Sequence, residues 1–290
     1  MPGTLYLVAT PIGNLEDITF RAVRVLGEVQ LVAAEDTRRT ATLLRHYEIR
    51  TPTISLHDHN ERARTPRLVA RILEGDSIAL LSDAGTPLVS DPGLHLVRQC
   101  INVGISVVPI PGPSAVLSAL TASGAPMNTF VYLGFPPRRS NDLKRWCSAL
   151  AQEDRTAVFF ESPHRLLTTL TVMKTTLSGT TVSLCREMTK AHEELVSGPI
   201  ETILDSVRIP RGEYTCVVWP GNHRVAVTPA MPDGPALLSE LGLLTKKGFS
   251  RRAAVKDMAR RYGMSSRNLY QALESAKLVA NGKPPALFRR

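Results

Sequence analysis

The chain has 290 residues, 43% of them hydrophobic, with seven histidines, four cysteines and a formal charge of +9. That length and apolar content suffice for two packed domains, and no apolar run approaches the roughly 18 residues of a membrane-spanning helix. The charge is uneven: Thr245 to Arg290 holds twelve Lys or Arg against two acids, which leaves 23 basic and 24 acidic groups for residues 1–244.

In chain order, Thr4 to Ala9 reads as a strand running into Thr10-Pro11-Ile12-Gly13-Asn14-Leu15. Leu31 to Ala34 ends in Glu35-Asp36-Thr37-Arg38, and Ile78 to Leu81 opens into Ser82-Asp83-Ala84-Gly85-Thr86-Pro87-Leu88-Val89-Ser90-Asp91-Pro92-Gly93. Ile105 to Ile110 runs into Pro111-Gly112-Pro113-Ser114-Ala115. Helical spacing follows the strands, as with Leu94, Val97 and Ile101, or Val116, Leu117 and Leu120. The βαβα alternation predicts a largely parallel sheet with ligand-bearing loops at the carboxyl ends of its strands. Gly lets backbone approach a ligand closely and Asp supplies acceptors, although Pro, Gly and Asp also make ordinary turns. No Gly-x-Gly-x-x-Gly follows a strand and no Gly-Lys-Ser/Thr loop is present, which argues against a dinucleotide or a nucleoside triphosphate.

A boundary is expected near Gly124 to Asn128. Beyond it Phe130 to Leu133, Ala157 to Phe160, Val182 to Cys185 and Tyr214 to Val218 read as strands, with helices over Pro163 to Leu177 and Pro199 to Val207. A second α/β domain with a mixed sheet is expected there. Asn222 to Pro235, with Pro229, Pro232 and Gly234, reads as a linker. In the tail, Ala254, Val255, Met258 and Ala259, then Leu269, Tyr270, Leu273 and Ala276, keep helical period on either side of a Gly263 turn and a Ser265 cap. Two helices about a short turn predict a helix-turn-helix-like unit. Lys246, Lys247, Arg251, Arg252, Lys256, Arg260, Arg261 and Arg267 lie largely off its apolar stripe, as phosphate contacts require.

His57-Asp58-His59 brings two imidazoles and a carboxylate together, but a third well-placed ligand is lacking, so no metal is expected and a hydrogen-bonded loop is favoured. Glu161-Ser162-Pro163-His164 offers Ser, His and an acid without a nucleophile elbow, and Ser162-Pro163 reads as a helix start instead. Cys100, Cys147, Cys185 and Cys216 are widely spaced with no Cys-x-x-Cys pair, and Met1-Pro2-Gly3 opens no secretory segment. Reduced core thiols in a cytoplasmic protein are expected.

Taken in order, Thr10 to Leu15, Ala34 to Arg38, Leu56-His57-Asp58-His59-Asn60-Glu61, Ser82 to Gly93, Pro111 to Ser114, Phe159 to Arg165, Arg186 to Lys190 and Gly212-Glu213-Tyr214 resemble the S-adenosylmethionine-dependent tetrapyrrole methylase superfamily. Thr10 to Gly13 stands where the tetrapyrrole enzymes usually carry Gly-x-Gly-x-Gly. That departure resembles the branch that methylates a cytidine ribose 2′-hydroxyl in bacterial 16S ribosomal RNA. The resemblance implies an α/β fold of two domains, 1–124 and 125–221, with the cofactor cleft between them. A linker over 222–234 and a basic helical, RNA-binding module over 235–290 complete the expected arrangement. It further implies S-adenosylmethionine as cofactor, the small ribosomal subunit or its 16S RNA as partner, and a homodimer. Pro11, Gly13, Asp83, Ala84, Gly85, Thr86, Pro87, Asp91 and Ser114 would hold the cofactor, and Asn14, Arg38, His57, Asn60 and Lys190 would face the substrate. Asp91 would either bind the cofactor or receive the proton. Lys190 is the alternative base if crowding depresses its pKa, although an ion pair with its neighbours fits equally well.

Two other readings make different demands. A methyltransferase for a tetrapyrrole needs an apolar trough and no basic tail. A ligand-sensing nucleic-acid regulator binds duplex without turnover and needs fewer acidic and Gly-Pro loops than this chain carries.

Overall fold

The computed structural model describes residues 1–207, 210–220, 232–246, 248–262 and 264–280, apart from the side chains of Arg260, Arg261, Val279 and Ala280. Lys247 and most of the expected linker therefore lie outside the described residues. Met1–Gly221 and Asn222–Arg290 form two compact units.

The first unit begins with β1 (Thr4–Val8), α1 (Phe20–Glu28), β2 (Leu31–Ala34), α2 (Thr37–His46), β3 (Thr53–Ser55), α3 (Glu61–Leu73), β4 (Ile78–Leu81), α4 (Leu94–Asn102), β5 (Ser106–Ile110) and α5 (Ala115–Ser123). The strands form a wholly parallel sheet in the order β3-β2-β4-β1-β5. Every residue of β2 and β4 is buried, as expected of strands covered on both faces. Val25 and Leu26 of α1 with Leu43 and Leu44 of α2 cover one face, and Leu68 and Ile72 of α3 with Leu96 and Cys100 of α4 cover the other. Chain reversal between β1 and β4 sets the loops after these strands side by side, where open α/β sheets place ligands.

The helix faces differ from those expected. Of the expected stripe Leu94, Val97 and Ile101, only Val97 is buried; Leu96 and Cys100 point inward with it while Leu94 and Ile101 are exposed, so α4 is rotated from that stripe. On α5, Leu117 is exposed, and Val116, Ala119 and Leu120 pack against Val158, Cys185 and Val217. The small Ala119 faces inward because α5 is wedged against a second sheet.

That sheet is built from β6 (Phe130–Tyr132), β7 (Thr156–Glu161), β8 (Thr180–Arg186), β9 (Glu194–Pro199) and β10 (Tyr214–Pro220), with α6 (Ser140–Leu150), α7 (Pro163–Thr176) and α8 (Ile200–Ser206) between them. Its order is β6-β7-β10-β8-β9, and only the β6-β7 pair is parallel, so the sheet is mixed. The sequence gives no strand signal for β3 or β9: the first is three residues long, and the second is a half-exposed edge closed by Gly198 and Pro199. Ser162 occupies the cap position of α7, but its side chain caps nothing, contrary to expectation.

Among its described residues the second unit contains three helices, α9 (Gly234–Lys246), α10 (Arg251–Arg261) and α11 (Ser266–Ala280), rather than two. Leu237 and Leu241 of α9 complete a core with Ala254, Met258, Leu269 and Leu273. Ser265 Oγ accepts from the Asn268 N–H at 3.1 Å, as a cap should. Tyr270 lies off the core, exposed under the Arg251 guanidinium at 5.8 Å. Lys246, Arg251, Arg252, Lys256 and Arg267 are all exposed. Among the described residues no helix is long and apolar enough to cross a membrane.

Candidate active site

The three loops that the sequence singles out after β1, β4 and β5 are tied together by their own backbone. Thr10 and Gly85 exchange two N–H···O bonds at 2.9 Å each, and the Thr86 hydroxyl donates to Pro113 O at 3.1 Å. Gly85 has φ +78°, a conformation that costs glycine little. Beyond Gly93, the exit of the long loop is fixed by a buried carboxylate: Glu61 Oε1 accepts from the N–H groups of His95 and Leu96 at 2.7 and 3.1 Å. A carboxylate there satisfies the free amides of the first turn of α4 and lies at the positive end of its dipole.

Facing these loops are the ends of the second sheet. Tyr132 Oη and Ser90 Oγ lie 2.7 Å apart, joining the long loop to β6. Gly13 lies so close to the loop after β8 that a Cβ there would stand 2.5 Å from Lys190 Cγ and 2.7 Å from Met188 O. Between the two groups of loops lies a cavity of about 310 Å³. Its apolar wall includes Ile12, Val89, Val116, Phe135, Phe160 and Met188, and Ser90, Asp91, Ser114 and Lys190 contribute polar groups. A mostly apolar cavity with a few convergent polar groups is the usual form of a small-molecule site.

Backbone strain gathers at this cavity. Five non-glycine residues have positive φ among the described residues, and four of them, Leu88, Ser90, Glu187 and Thr189, belong to the two loops that face each other across it. Such conformations cost about 1–3 kcal/mol each and persist only where the surroundings enforce them. Thr189 Oγ1 is also buried with no hydrogen-bond partner.

The electrostatics of the two walls differ. On the first wall, burial, and then the charges of Glu35 and other neighbouring acids, lift the Asp91 carboxyl from 3.8 to about 7, against a lowering hydrogen bond from Ser82. Burial, followed by the Asp83 charge, also raises Glu35. Asp83 accepts from the Asp36 N–H at 2.9 Å and lies 3.4 Å from Arg39. On the second wall, Lys190 Nζ donates to Glu187 Oε1 at 3.0 Å and to Glu213 Oε2 at 3.1 Å. Burial alone would lower its pKa, but these two carboxylates more than offset that and raise it. Lys190 thus forms the ion pair that the sequence left open as the alternative, and its pKa is shifted upward where a lysine acting as base would need it lowered.

Of the residues expected at the cofactor, Ala84, Gly85, Thr86, Asp91 and Ser114 line the cavity, as does Lys190. Pro11, Gly13, Asp83 and Pro87 are not among its lining residues. Asn14 is exposed and accepts from the Glu16 N–H at 3.1 Å, and the Arg38 side chain is 90% exposed and forked onto Asp36. His57 Nε2 lies 2.9 Å from Asn60 Nδ2, and Asn60 Oδ1 accepts from the His57 N–H, so these two form a local loop brace. No group of three His, Cys, Asp or Glu is gathered as metal ligands among the described residues. Sequence reasoning missed Ser90, Phe135, Phe160 and Glu213. Phe160 lay inside an expected strand and Phe135 beyond one, and neither position carries a polar signature.

Residues 4–204 match the family described as Tetrapyrrole (Corrin/Porphyrin) Methylases. Along its length the chain is 44% identical to the ribosomal RNA small subunit methyltransferase I of Synechocystis, covering 97% of this chain and all of that protein. The protein of the same name from Escherichia coli O157:H7 is 49% identical over 71% of this chain and 72% of its own. Among solved structures, diphthine synthase superposes with a TM-score of 0.61 at 14% identity, over 75% of this chain and 90% of that one. Uroporphyrin-III C-methyltransferase from Thermus thermophilus, complexed with S-adenosyl homocysteine, superposes at 0.54 and 18% identity, over 76% and 98%.

Proposed function

The chain belongs to the tetrapyrrole methylase family, and from that premise we propose that it is an S-adenosylmethionine-dependent methyltransferase of small-subunit ribosomal RNA, acting on the ribose 2′-hydroxyl of a cytidine. The observation that carries this reading is the extent of the likeness to the ribosomal RNA methyltransferases. It runs over 97% of the chain, whereas the uroporphyrin-III enzyme covers 76%.

The residues present fit the cofactor. The apolar wall suits an adenine and a methylene chain, and the acidic first wall suits a sulfonium cation and an ammonium group. The loops of residues 84–86, 90–91 and 114 would hold it, largely through backbone. When bound, S-adenosylmethionine supplies a methyl carbon made electrophilic by the sulfonium, which departs as a neutral thioether.

The protein's share is alignment, exclusion of water and proton removal. A carboxyl poised at about 7 is half ionised at neutral pH, and Asp91 Oδ would accept the hydroxyl proton as the new C–O bond forms. Its partial burial keeps it basic, and a general base is most effective when its pKa is near the working pH. Lys190 acts differently: fixed between Glu187 and Glu213, it holds the loop after β8 against Gly13 and keeps the two carboxylates compensated.

The same reading makes residues 235–290 an RNA-gripping module, with Lys246, Arg251, Arg252, Lys256 and Arg267 as phosphate contacts. It also takes the enzyme to be a cytoplasmic homodimer, with Asn14, Arg38, His57 and Asn60 on the substrate side of the first wall. The test is transfer of labelled methyl to small subunits from a strain lacking the modification, followed by mass mapping. Label on a cytidine ribose is expected. Label on a base would overturn the ribose assignment, and label on no ribosomal RNA while the cofactor still binds would overturn the RNA reading and favour a small-molecule acceptor.

A further inference from the structure

The second wall of the cleft continues outward into a cationic surface that the catalytic residues do not use. After β6 the chain turns at Gly134 (φ +64°) and passes through Phe135, Pro136 and Pro137 to Arg138 and Arg139, where α6 begins. Phe135 lines the cavity yet is 54% exposed, with its ring 5.5 Å from that of Phe160, which in turn meets Tyr132 edge-on at 5.2 Å. Arg138, Arg139, Lys144 and Arg145 are all exposed, and an open hollow is lined by Arg139, Ser140, Asn141, Asp142 and Arg145. Arg145 pairs with Asp142, but Arg138, Arg139 and Lys144 have no carboxylate at ion-pair distance among the described residues.

This segment is held from beneath. Arg165 donates to the carbonyls of Pro136 and Pro137 at 3.0 and 2.6 Å, and its guanidinium lies 3.6 Å from the carboxylate of Glu161. Glu161 is buried and also accepts from Thr169 Oγ1 at 2.6 Å and from the Ser162 N–H at 2.8 Å. Two prolines and a buried carboxylate thus fix the loop before any ligand arrives. A loop whose backbone is already ordered pays less to bind than one that must be ordered on binding.

We propose that Phe135 and the cations of residues 138–145 form a second RNA-binding surface, in which Phe135 stacks on an unpaired nucleobase at the mouth of the cleft and Arg138, Arg139 and Lys144 take the flanking phosphates. The inference rests on the proposed RNA methylation. Charge decides the occupant: residues 1–244 are slightly acidic overall, and the first wall carries Glu35 and Asp58 besides Asp36 and Asp83, whose charges are paired with Arg38 and Arg39. The arginines of that wall are already paired with carboxylates, so the cations left for a polyanion's phosphates at the mouth of the cleft are those on the α6 side. An exposed aromatic ring beside free guanidinium groups is the combination that single-stranded RNA uses, since every base has a face to stack.

The experiment compares the full chain with the double variant Arg138→Gln/Arg139→Gln and with a matched control, Arg50→Gln/Arg98→Gln. Arg50 precedes β3 at the opposite edge of the first sheet, and Arg98 lies on the exposed side of α4. Methyl transfer to small subunits, binding of protein-free 16S RNA across a salt series, and cofactor affinity are measured for each. Loss of two phosphate contacts should flatten the plot of log affinity against log salt by about 1.4 and raise KM for subunits about tenfold. Cofactor affinity and the control should match the parent. Phe135→Ala should weaken RNA binding by roughly 5- to 100-fold, with Phe135→Tyr restoring it.

An unchanged salt slope in the Arg138/Arg139 variant would overturn the inference. So would a defect seen with whole subunits and absent with protein-free RNA, because the surface would then meet a ribosomal protein. A Phe135→Ala defect confined to cofactor binding would remove the stacking role. If the parent itself transfers no methyl to RNA, the failure lies with the underlying reading, and the comparison of variants distinguishes the two.

Discussion

Replacing Asp91 by Asn should make the protein more stable while it stops working. In the folded chain the Asp91 carboxyl titrates at about 7 against an ordinary 3.8, first because it is buried and then because Glu35 and its acidic neighbours crowd it. Between those two pH values the folded state holds a proton that the unfolded state has released, so stability falls as pH rises through that window. Three pH units correspond to roughly 4 kcal/mol for a fully desolvated group. The cleft is open to solvent, and screening reduces the figure to roughly 1–3 kcal/mol. Asn carries no charge in either state and avoids this cost. Urea titrations at pH 4.5 and pH 8 measure it: the variant should gain little at pH 4.5 and about 1–3 kcal/mol at pH 8. Methyl transfer by the variant should be lost, and kcat/KM of the parent should climb about tenfold per pH unit below an apparent pKa near 7. A stability difference that does not change with pH would refute the electrostatic argument, and an active variant would refute the catalytic one.

Four further outcomes follow from the same structure. Gly13→Ala places a methyl group 2.5 Å from Lys190 Cγ and 2.7 Å from a backbone carbonyl; it should cost about 1–3 kcal/mol in denaturant titrations and weaken cofactor binding by displacing the loop after β8. Thr169→Val removes a 2.6 Å bond to the buried Glu161 carboxylate and should cost roughly 1–3 kcal/mol, read as a lowered Tm. Removing residues 235–290 should leave cofactor affinity unchanged, read by calorimetry, while methylation of subunits becomes markedly more sensitive to salt; equal activity at raised salt would refute the role given to that module. Lys190 should contribute no rise in rate between pH 7 and 9, since its two carboxylate partners keep it protonated there.

What could be read from the sequence was whatever depends on local chemistry. The runs Leu31 to Ala34 and Ile78 to Leu81 announce buried parallel strands because both of their faces are apolar, and the Gly, Pro and Asp loops that follow announce close backbone approach. Ala84, Gly85, Thr86, Asp91 and Ser114 were expected at a ligand for that reason, and they line the cavity. The basic tail could be located by counting charge, and its helices by period, although α9 was hidden behind the Pro-rich stretch before it.

Other properties belong to pairs of distant residues, and only the tertiary structure decided them. The charge state of Lys190 depends on Glu213, 23 residues away, and the pKa of Asp91 depends on Glu35, 56 positions earlier in the chain. The inward face of α5 is set by a sheet that the chain has not yet made when that helix is read, which is why Leu117 is exposed and Ala119 buried. Phe135 and Phe160 look like ordinary core residues until the fold leaves one of them half in solvent at the mouth of the cleft. Local pattern fixes which segments become strands, helices and loops; desolvation and Coulomb interactions act through space, and so the chemistry of the site is settled only when those loops meet.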